Sequence, residues 1–124
     1  MVIMNRILGG GGFTSRIVSR VRSDEGLAYS AGSDFSAGVY YPGEWQASFQ
    51  SKNRTVALAI KIILEEVERI RTEPVSDDEL ETAVNALIET FPRRFESKSG
   101  MLRVFVDDEI TGREHGFWDR YRDR

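Results

Sequence analysis

Four consecutive glycines, Gly9 to Gly12, constrain the fold of this chain more than any other part of its sequence. The segment Met1 to Leu8 before them is apolar enough to form the last two turns of a helix. We expect Gly9 to follow that helix directly, at a position that requires a positive φ. The remaining glycines then provide a permissive loop that lets the two flanking segments approach each other closely.

A second short helix is predicted after the glycine loop. Thr14 or Ser15 is a suitable N-cap, because either hydroxyl can accept a hydrogen bond from a backbone N–H of the first turn. Gly26 is a suitable end for this helix. Its apolar stripe is formed by Ile17, Val18 and Val21.

Three antiparallel strands are predicted after the second helix. The second of them is Val39 to Tyr41 and the third is Trp45 to Gln50, and Pro42-Gly43 between them is typical of a type II turn. One face of the third strand is shared by Trp45, Ala47 and Phe49. The first strand, Leu27 to Phe35, alternates, and one of its faces presents Leu27, Tyr29, Ala31, Ser33 and Phe35.

The rest of the sequence is predicted to be helical. Asn53 is a suitable N-cap for a long helix that ends before Pro74. A capping box from Ser76 to Glu79 opens the next helix, which Pro92 is expected to kink or break. The apolar stripe of the long helix comprises Val56, Ala59, Ile60, Ile63, Leu64, Val67 and Ile70.

This order of elements predicts an α+β fold, in which helices pack on one face of an antiparallel sheet of about three strands, as a partial two-layer sandwich. A further helical stripe begins at Met101 and ends near Gly112, and Trp118 and Tyr121 indicate another helix at the chain end. Residues 1–124 are expected to form a single partial domain that is truncated at both ends, because helical patterns reach both ends. So small a sheet leaves strand edges and apolar surface uncovered, and the isolated piece is expected to self-associate.

Composition and charge exclude several functional classes. The net charge of −3 and the pI near 5.2 argue against a nucleic-acid module, which normally has a basic face. The sequence contains no cysteine, which rules out disulfides and thiol chemistry and leaves the compartment unknown. If the protein is bacterial, we expect it in the periplasm or the cytoplasm. No membrane span is expected, since the longest apolar run is far shorter than the roughly 20 residues required.

Metal binding within this chain has little support from the sequence. His115 is the only histidine, whereas a catalytic zinc site takes three protein ligands, commonly with two histidines. The segment Thr111 to His115 ends in Glu-His like the inverted zinc-peptidase motif H-x-x-E-H, but threonine stands where the first histidine belongs. We therefore expect neither a metal ligand nor a catalytic residue here.

The glycine run does not match a phosphate-binding motif. A P-loop requires a lysine after its last glycine, and no lysine follows Gly12. Binding of a small anion at the helix that begins near Ser15 remains an alternative. A tight loop between two helices is the simpler interpretation.

Arg22 and Tyr29 are the candidate functional residues. Arg22 falls near the end of the second helix, and Tyr29 falls in the strand that begins just past Gly26. A turn at Gly26 would fold the strand back beside the helix, so that a guanidinium and a phenol reach one cleft and donate hydrogen bonds to a peptide carbonyl or an anion. The structural alternative is that Arg22 complements the helix dipole and Tyr29 lies half in the core.

The same part of the chain resembles a known family. It contains N-R-I-L-G-G at residues 5–10, F-T-S-R at 13–16, and E-G-L-A-Y-S at 25–30 after Arg22. This pattern resembles the C-terminal, non-catalytic half-domain of the pitrilysin/insulinase family of zinc metallopeptidases. The match extends more weakly over nearly the whole chain.

The resemblance implies a function for these residues. Members of that family pair two similar α+β units around a closed chamber, and one unit carries H-x-x-E-H and zinc. The other unit contributes an arginine and a tyrosine that bind the substrate peptide, which correspond to Arg22 and Tyr29 with the same seven-residue spacing. The resemblance thus implies a substrate-binding portion that partners the catalytic zinc-binding half and holds no cofactor itself. The alternative within the family is a structural scaffold or assembly subunit without a proteolytic role.

Overall fold

The computed structural model of this protein describes residues 1–114 and 116–123. The chain divides into two compact units, Met1–Ala83 and Val84–Arg124, and the boundary between them falls inside a helix. The first unit combines helices with a sheet, and the second is helical. The predicted α+β class is confirmed.

The first unit begins with two short helices that each widen into a π-helical segment. Helix α1 is Val2–Asn5 and continues through Arg6–Gly10, while helix α2 is Arg16–Val18 and continues through Ser19–Asp24. The prediction of a positive φ at Gly9 is wrong, because the helical backbone runs on to Gly10 and the positive φ, 70°, falls at Gly12. A 3₁₀ turn, Gly12–Thr14, joins the two helices.

The sheet has two antiparallel strands, β1 at Ala28–Ser36 and β2 at Glu44–Ser51. The predicted strand at Val39 to Tyr41 is wrong, since these residues lie in the connection between β1 and β2. That connection folds tightly on itself, and a side-chain carbon added at Gly38 would collide with the Tyr41 carbonyl. A backbone so sharply turned cannot extend along a neighbouring strand.

A β-bulge lies at the start of β1. Ala28 pairs with Ser51 and Ser30 pairs with Gln50, so Tyr29 is an extra residue without an opposite partner. A bulged residue shifts the alternation of side chains by one position. The predicted face shared by Tyr29 and Ala31 is therefore wrong at Tyr29, because Ala28 turns inward and Tyr29 turns outward.

The core lies between one face of the sheet and the helices of the first unit. Helix α3, Val56–Thr72, supplies three of its members, and the prediction that Trp45, Ala47 and Phe49 share the inner face of β2 is confirmed. The predicted stripe of α3 is wrong at Ile60 and Leu64, which are exposed. Buried in this core are Leu8, Ile17, Val21, Ala28, Ala59, Ile62 and Ile63.

One buried amide joins α1 to both strands. The Asn5 side-chain oxygen accepts hydrogen bonds from the Ser33 hydroxyl at 2.7 Å and from the Trp45 indole N–H at 2.8 Å. Its amide nitrogen donates to the Ser33 carbonyl at 3.3 Å. Because a buried polar group needs partners, this set of bonds fixes where the glycine-rich segment meets the sheet.

The helix starts that the sequence suggested at Asn53 and at Ser76 have different outcomes. The predicted cap at Asn53 is wrong, because a 3₁₀ turn, Asn53–Thr55, precedes α3. The capping box is confirmed at the start of helix α4, Asp77–Thr90, where the Glu79 N–H donates to the Ser76 hydroxyl at 3.2 Å and the Ser76 N–H donates back to the Glu79 carboxylate at 3.1 Å.

The break predicted at Pro92 is confirmed, and it lies within the second unit. Helix α4 ends at Thr90, a 3₁₀ turn spans Phe91–Phe95, and helix α5 runs over Lys98–Thr111 to a left-handed Gly112 with φ 63°. A last 3₁₀ turn is Trp118–Asp123. Ring contacts in this unit join Phe91, Phe95, Phe117, Trp118 and Tyr121. Within the described ranges, no helix has the length and apolar character to cross a membrane.

Candidate functional site

Arg22 is carried by the π-helical continuation of α2. The buried side chains Ile17 and Val21, both 0% exposed, hold this segment against the core. Arg22 lies on its rim in the last turn and is half-buried. The segment ends at Asp24, Gly26 then turns the chain with φ 58°, and the Leu27 N–H donates to the Val21 carbonyl at 3.0 Å as the chain enters β1. The predicted stop at Gly26 is confirmed.

The Arg22 guanidinium lies over the ring of Phe13, with its central carbon 4.4 Å from the ring centre. A cation above an aromatic face is attracted by the electron-rich ring. Such a contact leaves the N–H groups at the edge of the guanidinium available, since the ring interacts with its face. Within the described residues Arg22 makes no ion pair, so its donors remain open to a ligand.

Tyr29 projects outward from the bulge of β1, and its residue surface is 83% exposed. The structural alternative, a half-buried core tyrosine, is therefore wrong. An exposed phenol of this kind presents both an apolar ring and a hydroxyl that donates and accepts hydrogen bonds. Tyr29 is exposed because the bulge turns its side chain away from the core, in which the preceding residue, Ala28, is buried.

Arg22 and Tyr29 lie on either side of the turn at Gly26, as the sequence indicated. No hydrogen bond joins the two side chains among residues 1–114 and 116–123. Neither side chain donates a hydrogen bond to another described residue, and each is carried by a different element, Arg22 by the helix and Tyr29 by the strand. Joint binding of one ligand by the two side chains stays a prediction.

Tyr29 lines an open cleft of about 490 Å³ at the end of the sheet where β1 starts and β2 finishes. The cleft also contains two cationic side chains, Lys52 and Arg54, and its described lining includes no acidic side chain. The remaining lining residues are Gly26, Leu27, Ala28, Gln50, Ser51 and Thr55. The sequence analysis missed Lys52 and Arg54, because no motif marks two cations just after a strand.

Ion pairs of Arg16 and Arg20 hold α2 and its continuation in place. The Arg16 guanidinium forms two hydrogen bonds with the Glu79 carboxylate, at 2.6 and 2.7 Å, and Arg20 donates to the fully buried Glu66 at 2.9 Å. The hydrogen bonds from Arg16, aided by those from Ser76, lower the pKa of Glu79 to about 2. The same pair raises the pKa of Arg16. The helix that carries Arg22 is thereby tied to both α3 and α4.

Phe13 is a further residue that sequence reasoning did not place in the site. It lies nine positions before Arg22, across a loop and a helix, and no helical or strand period connects the two. The only signal was its place within the F-T-S-R segment that supported the resemblance.

The described residues do not assemble a zinc site. Among the described residues, no group of three or more histidine or acidic side chains is arranged to hold a metal. His115 lies outside the described residues. The glycine run is not an open cradle either, because side-chain carbons added at Gly9 and Gly10 would collide with Ser33 and Asn5.

The fold and the site together define an α+β domain that presents an arginine from a helix and a tyrosine from a strand on either side of one turn. A family model described as "Peptidase M16 inactive domain" matches residues 1–87, which include Arg22 and Tyr29. The chain belongs to the peptidase M16 inactive domain family. This membership confirms the resemblance drawn from the sequence.

Similar proteins agree with this assignment. The chain is 36% identical over 98 residues to the "Non-peptidase homolog YmxG" of Helicobacter pylori (strain ATCC 700392 / 26695), across 77% of this chain and 22% of that protein. It also resembles the crystal structure of a peptidase M16 inactive domain from Pseudomonas fluorescens, with a TM-score of 0.84 at 22% identity over 98% of this chain and 29% of that one.

A second solved structure, a conserved protein from Enterococcus faecalis V583, has a TM-score of 0.77 at 22% identity over 89% of this chain and 25% of that one. The two structural likenesses establish the fold alone. The chain spans less than a third of the length of each of these three proteins.

Proposed function

We propose that this chain is the non-catalytic, substrate-binding portion of an M16-type metalloendopeptidase. Arg22 and Tyr29 hold the backbone of a peptide whose hydrolysis takes place in a partner domain, the catalytic zinc-binding half of the same peptidase. The single observation that carries the proposal is that both side chains lie beside the Gly26 turn and donate no hydrogen bond to another described residue.

The fixed framework supports this role. The helix behind Arg22 is packed by two fully buried apolar side chains, and Arg22 itself is oriented by the ring of Phe13. Tyr29 is set by the bulge. Donors whose directions are fixed before the ligand arrives lose less conformational entropy on binding.

The chemistry of the two groups suits a peptide backbone. A guanidinium and a phenol each donate N–H or O–H bonds to a carbonyl oxygen, and neither demands a particular side chain. Backbone contacts of this kind position a peptide without strong sequence selection. Arg22 and Tyr29 are therefore positioning residues in this proposal, and no catalytic step is assigned to this chain.

The test measures the affinity of the full-length protein for an unstructured peptide. Tyr29→Phe removes one hydroxyl and Arg22→Ala removes one guanidinium, and each is expected to weaken binding about two- to tenfold, the value of one or two hydrogen bonds. Tyr40→Phe and Arg103→Ala are matched controls, because both wild-type residues are exposed and lie outside the site. Unchanged affinity in both site variants would remove the basis of the proposal.

Turnover gives a second readout for the same variants. With the catalytic half present and its zinc intact, loss of peptide positioning is expected to lower kcat/KM in parallel with affinity. Normal turnover by both variants would contradict the clamping role even if the fold and the partner were unaffected.

A structural scaffold or assembly subunit is the second candidate function, and one observation favours it. The Helicobacter pylori relative at 36% identity is named a non-peptidase homologue. This candidate predicts that the full-length protein assembles with its partner and binds no peptide. Size-exclusion chromatography with light scattering would then show the same assembly for wild type, Arg22→Ala and Tyr29→Phe.

Self-association of the isolated chain belongs to the same proposal. Each of the two strands has one edge without a strand partner among the described residues, and such edges favour pairing between chains. Light scattering of the isolated chain is expected to show a mass that rises with concentration. A constant monomer mass at high concentration would contradict this expectation.

A further inference from the structure

The cleft beside Tyr29 is lined by basic side chains in a protein whose net charge is negative. The protein has 20 acidic and 17 basic residues and a net charge of −3. The described lining of the cleft nevertheless contains Lys52 and Arg54 and no acidic side chain. A concave surface lined by one sign of charge concentrates the opposite charge near it.

Neither cation of the cleft is neutralised within the described residues. Other arginines of the first unit, such as Arg16, Arg20 and Arg69, are paired with carboxylates. Lys52 and Arg54 are exposed and have no ion pair in the described part of the chain. Two unpaired cations that share a cleft with a phenol favour an anionic ligand with several oxygens.

The backbone that carries these cations is fixed. The Thr55 N–H donates to the Lys52 carbonyl at 2.9 Å, and the Thr55 hydroxyl donates to the same oxygen at 2.8 Å. That hydroxyl also lies 3.3 Å from the Leu27 carbonyl, at the entrance to β1. The turn that presents Lys52 and Arg54 is thus held beside the bulge that presents Tyr29.

We propose that this cleft is a specificity subsite for an acidic side chain of the bound peptide, in which Lys52 and Arg54 hold the carboxylate while Tyr29 contacts the adjoining backbone. This inference rests on the proposed peptide-binding function. It adds a substrate preference, for peptides with an aspartate or glutamate near the residue that Arg22 and Tyr29 position. A peptide is favoured over other anions because the cleft shares Tyr29 with the proposed backbone contacts.

The experiment compares peptides on the full-length protein by fluorescence anisotropy. Two labelled peptides differ only by glutamate or glutamine at one central position, and each is prepared with a free and an amidated C-terminus. The glutamate peptide is expected to bind about two- to fivefold more tightly for each exposed cation that it engages, with the preference falling as salt is raised. Lys52→Gln and Arg54→Gln are expected to reduce this preference, while Lys98→Gln and Arg103→Gln, exposed controls that do not line the cleft, leave it unchanged.

The outcomes separate this inference from the proposed function. If Lys52→Gln and Arg54→Gln weaken both peptides equally or not at all, while Tyr29→Phe weakens both, backbone binding stands and the acidic subsite is overturned. If the preference follows the free C-terminus instead of the glutamate, the subsite for a side chain is overturned in favour of an α-carboxylate. If Arg22→Ala and Tyr29→Phe have no effect while the glutamate preference depends on Lys52 and Arg54, the subsite is supported and the clamp fails. If no peptide binds, both fail.

Discussion

The Arg22 guanidinium lies 4.4 Å above the centre of the Phe13 ring, so an exposed aromatic residue of the glycine-rich loop orients the candidate substrate-binding arginine. The loop is anchored on its other side, where Asn5 bonds to Ser33 and Trp45. The glycine run, which could be taken for a phosphate-binding loop, therefore leads into the residue that orients Arg22. Its glycines allow this close packing against the sheet.

Phe13→Leu is expected to weaken peptide binding by about two- to fivefold, the equivalent of a cation–π contact at an exposed site. The ring orients Arg22 without touching the ligand, so its loss adds the entropic cost of ordering the guanidinium on binding. The free energy of unfolding should change by no more than about 0.5 kcal/mol, because Phe13 is 68% exposed. Peptide affinity and urea unfolding measure the two effects separately.

The matched control for that change is Phe105→Leu, which removes a 60% exposed ring in the second unit. It should leave peptide affinity unchanged. If Phe13→Leu behaves like Phe105→Leu, the ring has no part in orienting Arg22.

Gly9→Ala is expected to destabilise the protein by about 1–3 kcal/mol, as overpacking of a tight contact does. A Cβ at this position would lie 2.8 Å from the Ser33 backbone nitrogen, which belongs to β1 and has little freedom to move. Gly32→Ala is the control, since its Cβ would lie 3.4 Å from the Gly9 carbonyl, an ordinary contact. Equal urea midpoints for the two variants would contradict this account of the glycine run.

The ion pair between Arg16 and Glu79 predicts a dependence of stability on pH. Folding lowers the pKa of Glu79 from 4.5 to about 2, chiefly through the hydrogen bonds from Arg16. A carboxyl whose pKa is lower in the folded state contributes stability that is present above its unfolded pKa and is lost as the pH falls towards the folded one. The contribution of Glu79 should therefore decline between about pH 5 and pH 2.

Glu79→Gln tests that dependence while keeping the capping box, because glutamine can still accept the Ser76 bonds. At pH 7 the variant should lose about 1–2 kcal/mol of the free energy of unfolding, a value reduced by the partial exposure of the pair. The difference from wild type should shrink towards zero near pH 2. Glu68→Gln, in an exposed pair with Arg71, is the control. If Glu79→Gln lowers the free energy of unfolding by the same amount at pH 7 and at pH 2, the lowered pKa of Glu79 does not contribute to stability.

Local patterns were sufficient to predict several parts of this fold. The capping box at Ser76 and Glu79, the inner face of β2, the helix end at Gly26 and the break near Pro92 all follow from residues within a few positions of each other. These features depend on short-range bonds and on side-chain periodicity. The family resemblance also came from short segments, which lie within residues 5–30.

Features that depend on tertiary packing were not predictable in this way. The bulge at Tyr29 reverses the expected face of one residue, and only the register with β2 shows it. The pair of Arg16 and Glu79 joins residues 63 positions apart, and no periodic pattern connects them. A strand was predicted at residues 39–41 because their apolar and aromatic composition is typical of strands. The prediction was wrong because the backbone around Gly38 turns too tightly for a strand.

The most direct test of the central claim is a double-mutant cycle on Arg22 and Tyr29. Peptide affinity is measured for wild type, Arg22→Ala, Tyr29→Phe and the double variant of the full-length protein. If both side chains hold the same part of one peptide, their effects should be coupled by at least about 0.5 kcal/mol, so that the second substitution costs less than it does alone. Strictly additive losses, or no loss in any variant, would contradict a shared role in clamping the substrate backbone.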